Sequence, residues 1–173
     1  MQPTHRSNRL LLPVRSWFVF LSLFLALVVS YIPTGRLPGV PDWVAVVLVF
    51  WCIREPSKVG MGTAFVLGLL ADVGHGAAMG QHALAYVVLA YVAAAFSRRI
   101  LWFSTLQQAL HVLPMLLLAQ LVMLVVRLAG GDEFPGWWWL LSSLTGTLAW
   151  VPIGFMLLLP QYQPVERDAN RPI

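Results

Sequence analysis

The chain of 173 residues is 59% hydrophobic and 10% charged, with a mean hydropathy of +0.76, whereas soluble domains carry about 25% charged residues. This composition excludes an ordinary soluble domain and indicates a membrane protein, whose net charge of +4 comes from small basic groups between apolar segments and does not indicate nucleic-acid binding. The single cysteine, Cys52, excludes an intrachain disulfide and a cysteine-based zinc site.

Six apolar segments are predicted as transmembrane helices, since a helix needs about 20 apolar residues to cross the hydrocarbon. In chain order they cover residues 17–32, 41–53, 59–73, 81–97, 105–126 and 137–159. No small-residue cleavage site follows the first segment, so we interpret it as a retained helix. The predicted fold is an all-α polytopic membrane protein with a cytoplasmic tail at 1–16, one six-helix transmembrane domain at 17–159 and a cytoplasmic tail at 160–173.

Orientation is predicted from lysine and arginine, because cytoplasmic loops carry the excess of these residues. If the chain starts in the cytoplasm and crosses six times, the outer side holds only Arg36 and Arg127. The inner side then holds the other nine: Arg6, Arg9, Arg15, Arg54, Lys58, Arg98, Arg99, Arg167 and Arg171. Both termini are therefore predicted to be cytoplasmic.

The second and third segments are short, and we expect both of them to cross. A single crossing would place Arg98 and Arg99 on the outer side. A hairpin dipping in from outside would put Arg54 and Lys58 at membrane depth, where charge is costly. Most tryptophans support the assignment because they lie near predicted helix ends, where aromatic belts form; they are Trp17, Trp43, Trp51, Trp102, Trp137, Trp138 and Trp139, with Trp150 as the exception.

The third segment carries a small residue or an acid at every fourth position: Gly60, Ala64, Gly68 and Asp72. In a helix these residues form one stripe, and small residues at this spacing let helix backbones approach closely in lipid. The stripe predicts a packing face within the protein, with a partner-binding face as the alternative. A glycine-rich turn that includes Gly76 and Gly80 follows it.

Asp72 lies about 18 Å along the helix from Gly60, which places it in the outer half of the bilayer. An intramembrane carboxylate is costly unless it is paired or hydrogen-bonded, so Asp72 is a functional candidate. The alternative, which we favour, is that it accepts hydrogen bonds from backbone N–H groups of the glycine-rich turn and fixes the entry into the fourth helix.

Metal-binding and catalytic sites are not predicted. Asp72, His75 and His82 could supply three ligands, but their spacing matches no metal motif that we can name. No second carboxylate accompanies Asp72 inside a span, and neither a G-x-S-x-G motif nor a phosphate-binding loop occurs. We expect no cofactor. His111 is predicted to form interhelical hydrogen bonds, as are Gln107, Gln108 and Gln120.

Residues 41–108 resemble the bacterial rod shape-determining MreD family. The matching residues, in order, are Pro41, Asp42, Trp43, Phe50, Trp51, Pro56, Val59, Gly60, Gly62, Phe65, Gly68, Asp72, Gly76, Gly80, Ala83, Leu84, Tyr91, Gln107, Gln108 and, just beyond, Ala109. Val40 stands where the family often has arginine, and His75 is not a family hallmark. The order, spacing and topology of these residues carry the resemblance.

The resemblance implies a non-enzymatic inner-membrane scaffold of the elongation machinery. Such a scaffold would bind the bitopic protein MreC, help control peptidoglycan synthesis and rod shape, and connect through that complex to RodA, a class B penicillin-binding transpeptidase and MreB. It also implies a fold similar to the substrate-binding components of energy-coupling-factor transporters. Membrane lipid is the other expected contact.

The interface with MreC is expected at an outward-opening cleft near Asp72 and the glycine-rich turn, with Trp43, Gly76 and Gly80 among the candidate residues. A small-molecule subunit of a vitamin-type transporter is the alternative function, and an intramembrane enzyme is a third. A vitamin bound to the purified protein would favour the transporter subunit. Activity lost in D72N or H82A would favour the enzyme.

Overall fold

The computed structural model describes residues 14–32 and 39–161. Within these ranges the chain forms six α-helices: α1 Ser16–Ser30, α2 Trp43–Arg54, α3 Met61–His75, α4 Gln81–Ile100, α5 Thr105–Ala129 and α6 Leu141–Leu158. A 3-10 turn, Trp137–Leu140, leads into α6, and a second, Leu159–Gln161, follows it. The all-helical prediction is confirmed, and each of the six helices overlaps one of the six predicted segments, although most of their ends differ by a few residues. The two predicted tails lie almost entirely outside the described residues.

Helix length divides the bundle into two groups. Three described stretches are long and apolar enough to cross a membrane: α4, α5 and Trp137–Gln161. The helices α1, α2 and α3 are apolar but have only 15, 12 and 15 residues. Two short spans were expected, and α1 is a third. Its helix ends at Ser30 because Ile32 precedes a proline, and the residue before a proline disfavours helical backbone.

The shortest helix, α2, lies at the centre of the bundle. Each of its residues from 44 to 53 is at most 7% exposed, and the helix contacts α1, α4, α5 and α6, while α3 packs outside it on α4 and α1. At 1.5 Å per residue, α2 is about 18 Å long and α5 about 37 Å. Because its neighbours are longer, the central helix leaves a recess within the bundle.

Aromatic side chains anchor the C-terminal end of α2, at Phe50 and Trp51. The indole Nε1 of Trp51 donates to the Ser22 hydroxyl of α1 at 2.8 Å. The ring of Phe50 lies 5.1 Å from that of Trp51 and 5.8 Å from that of Trp150 in α6. Trp150, the tryptophan that did not fit an aromatic belt, is therefore a core residue, 2% exposed.

Candidate functional site

Asp72 joins the end of α3 to the start of α4. Its carboxylate accepts hydrogen bonds from the backbone N–H groups of Gly80 at 2.9 Å and His82 at 2.7 Å, with that of Ala83 at 3.4 Å. The first N–H groups of a helix have no partner within the helix. Asp72 therefore caps α4 from outside it, which is the role favoured from the sequence, and it is 1% exposed.

The glycines of the turn supply the backbone geometry that brings Asp72 to these amides. Gly76 ends α3 in the left-handed conformation, with φ of 61°, and the next amide, of Ala77, donates to the Asp72 carbonyl at 3.0 Å. Gly80 begins α4 with φ of 97°. Residues with a Cβ rarely adopt either conformation, so both glycines shape the cap.

Three members of the stripe on α3 are buried, namely Ala64, Gly68 and Asp72. A Cβ at Gly68 would lie 2.3 Å from the Cα of Ala83, so the backbones of α3 and α4 are in direct contact at this position. Gly60 lies outside this contact, at the N-terminal end of α3, and a Cβ there would meet no atom within 4 Å. Of the two glycines in the stripe, only Gly68, toward the C-terminal end of α3, makes this close approach.

Two histidines surround the Asp72 cap. Nδ1 of His82 lies 2.8 Å from the Asp72 carboxylate. The His75 ring lies 5.4 Å from the His82 ring and nearly parallel to it; its Nδ1 bonds to the Ala71 carbonyl at 2.8 Å and its Nε2 lies 3.2 Å from the Ser30 hydroxyl. Among the described residues no group of three histidine, cysteine or acidic side chains could hold a metal ion.

The interhelical role expected of His111 is wrong. Its Nδ1 bonds within α5 to the Gln107 carbonyl at 2.8 Å, and its ring stacks on Phe103. His111 is exposed because it lies on a face of α5 that does not pack against the other helices. Gln120 does link α5 to the start of α6: it donates to the Trp139 carbonyl at 3.2 Å and accepts from the Ser143 hydroxyl.

A cleft of about 670 Å³ lies at the N-terminal end of α2. Its walls come from the C-terminal ends of α1, α3 and α5 and from the N-terminal ends of α2 and α4 and of the Trp137–Leu140 turn. In the topology predicted from lysine and arginine, all of these ends lie on the outer side. The cleft therefore occupies the recess above the short central helix. Gly76 and Trp43, two of the residues selected from the sequence, line it.

The cleft lining includes the carboxylate of Asp42, which lies at the start of the second predicted segment although no second carboxylate was expected inside a span. Asp42 caps α2 by accepting from the Ala45 amide at 3.0 Å. The Tyr86 hydroxyl of α4, which is 1% exposed, lies 2.9 Å from both Asp42 oxygens. These residues are 44 positions apart, so only the fold shows the contact. The sequence signal that was available is the Asp42-Trp43 pair at a predicted helix start, typical of an N-cap.

Further polar side chains of the cleft lining include Gln81 and Arg127. The Gln81 side chain is in the first turn of α4, and the residue is 7% exposed. Arg127, in the last turn of α5, faces Asp132 with 3.7 Å between Nε and the carboxylate oxygen. Sequence reasoning used Arg127 only for topology and did not select Gln81, because neither belongs to a motif.

Comparison with known proteins gives the family. A family model described as rod shape-determining protein MreD matches residues 8–159. The rod shape-determining protein MreD of Haemophilus influenzae is 32% identical over 152 residues, which cover 84% of this chain and 91% of that protein. No solved structure matches the chain, so the likeness to energy-coupling-factor components stays a prediction. Matches over nearly the whole helical region support a role in determining cell shape, and the chain belongs to the MreD family of membrane proteins.

Proposed function

We propose that this chain is a non-catalytic scaffold of the bacterial inner membrane that binds MreC at the cleft above α2. Through MreC it would act on RodA, the class B penicillin-binding transpeptidase and MreB, and so help control peptidoglycan synthesis and rod shape. Both termini would be cytoplasmic and the cleft would open toward the periplasm. The observation that carries the proposal is the cleft itself, to which all six helical segments contribute one end.

The surroundings of the cleft favour binding a protein segment. Its lining combines aromatic and apolar side chains such as Trp43, Trp139 and Met123 with about as many polar ones, and aromatic residues, methionine and arginine are enriched in protein–protein interfaces. The wall formed by α3, α4 and their turn is fixed by the Asp72 cap and the Gly68 contact. A preformed wall loses little conformational freedom when a partner binds.

The arrangement of polar groups supports a role without catalysis. The Ser30 hydroxyl and Nε2 of His75 lie 3.2 Å apart, as a serine nucleophile and its base would. However, Nδ1 of His75 bonds to the Ala71 carbonyl instead of a carboxylate, and Asp72 is engaged with α4. In the described part of the chain this serine therefore has a histidine neighbour but no acid to orient the ring. We expect S30A to retain rod shape in cells that depend on this protein.

Site-specific crosslinking tests the proposed interface. A photoreactive residue in place of Ala77 or Val40, both in the cleft lining, should capture MreC in cells. The matched controls replace Leu110 and Leu148, which are 68% and 75% exposed on the outer surfaces of α5 and α6. Capture of MreC from the controls alone would place the interface elsewhere, and capture from none of the four would contradict direct binding.

A small-molecule binding subunit remains the second candidate, because the cleft volume falls in the range of ligand pockets, about 300 to 1,000 Å³. Native mass spectrometry of the protein released from nanodiscs distinguishes the two. A vitamin-sized ligand retained by the wild type and lost when A77W fills the cleft would favour the transporter subunit. A protein free of small molecules that captures MreC would favour the scaffold.

A further inference from the structure

The carboxylate of Asp42 has spare hydrogen-bonding capacity toward the cleft. A carboxylate can accept about four hydrogen bonds. Asp42 receives one from the Ala45 amide, and the single hydroxyl hydrogen of Tyr86 can serve only one of the two oxygens that it faces. Among the described residues no lysine or arginine lies within ion-pair distance of Asp42. This half-buried carboxylate is held only by neutral donors.

A second polar side chain lines the same cleft without a partner. Gln81 is about nine-tenths buried, being 7% exposed, and its amide forms no hydrogen bond with any residue that the structure describes. The polar atoms of this amide open onto the cleft, since they are not among the fully buried unpartnered atoms of the described residues. The Gln81 amide is therefore available to a bound group, and its oxygen is an acceptor.

The charge of the lining favours a cation over an anion. Apart from its histidines, the lining formed by the described residues holds two carboxylates, Asp42 and Asp132, and one guanidinium, that of Arg127. Arg127 already faces Asp132 at 3.7 Å, so the uncompensated charge is that of Asp42. The indoles of Trp43 and Trp139 also line the cleft, and a cation is attracted to the face of an aromatic ring.

We propose that the cleft recognises a cationic side chain, lysine or arginine, presented by the bound segment of MreC. Its ammonium or guanidinium group would pair with Asp42 and donate to the Gln81 amide oxygen, with an indole alongside. This inference rests on the proposed function for the identity of the partner. The chemistry of the site itself rests on Asp42 and Gln81.

Binding of a model compound tests the chemistry independently of MreC. Saturation-transfer NMR is measured on the full-length protein in nanodiscs with N-acetyl-arginine amide, and with the corresponding glutamine and glutamate compounds. Transfer should be strongest to the arginine compound and should be lost in D42N. Asparagine keeps an oxygen for Ala45 and Tyr86, so this variant should fold; Q81L removes the second acceptor without touching that cap. Equal transfer in wild type, D42N and Q81L, or strongest transfer to the glutamate compound, would overturn the cation site.

Capture of MreC tests the same site in the complex. D42N should weaken the affinity for MreC at least about tenfold, as expected when one member of a buried charge pair is removed. E133Q, which removes an exposed charge outside the cleft lining, should bind like the wild type. If the wild-type protein fails to bind MreC, the proposed function is contradicted. Binding of the arginine compound then tests the cation site independently of MreC. Wild type and D42N that bind MreC equally well contradict the cation site alone.

Discussion

The carboxylate of Asp72 lies 2.7 Å from the backbone nitrogen of His82, so an acid in the last turn of one helix caps the first turn of the next. Gly80, at the N-cap of α4, has no side chain that could do this. The cap therefore depends on the turn between the helices, and it ties the C-terminal end of α3 to the N-terminal end of α4. A buried carboxylate thereby serves as a structural element of the wall of the cleft.

Replacement of Asp72 should destabilise the α3–α4 pair. D72A leaves three backbone amides at the start of α4 without this acceptor, and we expect the free energy of unfolding to fall by about 2 kcal/mol or more. D72N keeps one carbonyl oxygen and should lose about half as much. Denaturation in mixed detergent micelles measures both, with E133A, an exposed acid, as the control. Equal stability of D72A and E133A would contradict the role of the cap.

Removal of the close contact at Gly68 should have a comparable effect. In G68A the new methyl group would lie 2.3 Å from the Cα of Ala83, so the backbones of the two helices must separate. We expect a loss of about 2 kcal/mol or more, typical of overpacking. G62A is the matched control on the same helix, because its methyl group meets no atom within 4 Å and alanine favours helix. Detergent denaturation should show G62A as stable as the wild type or slightly more stable.

Because Gly68 contacts backbone, a bulky substitution there reports on folding as well as on any partner. G68L could lose MreC by disrupting α3 and α4, without any contact between Gly68 and MreC. Positions in the cleft lining, such as Ala77, separate the two effects. G68L and A77W should therefore be compared in the same capture assay and in detergent denaturation. A variant that captures less MreC but is as stable as the wild type has lost binding and not folding.

The sequence was sufficient to predict the helices but not their arrangement. Prolines, glycines and charges bound the apolar segments, so the six helices and the approximate positions of their ends could be read directly. Lipid-facing and buried positions are both apolar, however, so nothing in the sequence distinguishes Phe24, which is 58% exposed on α1, from the fully buried Leu48 of α2. The central position of α2 follows only from packing.

The candidate site could be predicted only in part, because the sequence does not show which helices pack together. Asp72 could be connected to the following amides because only a short glycine-rich turn separates them. Asp42 and Tyr86, which are in contact, lie 44 positions apart in the sequence. The cleft beside them exists because the short helix α2 is enclosed by longer ones. The sequence shows that α2 is short, but not which helices surround it.

The contact between α1 and α3 gives another prediction. A Cβ at Gly74 would lie 2.0 Å from Cε1 of Tyr31, whose hydroxyl donates to the Leu70 carbonyl at 2.6 Å. G74A should displace this ring, break the hydrogen bond and change the α1 side of the cleft. We expect Y31F, which loses only the hydrogen bond, to lower the free energy of unfolding by about 1 kcal/mol, and G74A to lower it more. A G74A variant no less stable than Y31F would contradict this packing.

The short helices α2 and α3 are both expected to cross the bilayer, and cysteine labelling of intact cells tests this directly. In a C52S background, a cysteine replacing Met79, which is 78% exposed in the turn before α4, should react with a membrane-impermeant maleimide added outside. A cysteine replacing Ser57, exposed between α2 and α3, should react only after the membrane is permeabilised, because Arg54 and Lys58 hold this loop in the cytoplasm. Labelling of both positions from outside would mean that α2 and α3 do not cross as a pair. The cleft would still have to open on the side where the Met79 cysteine reacts, since that turn and the cleft share the ends of α3 and α4.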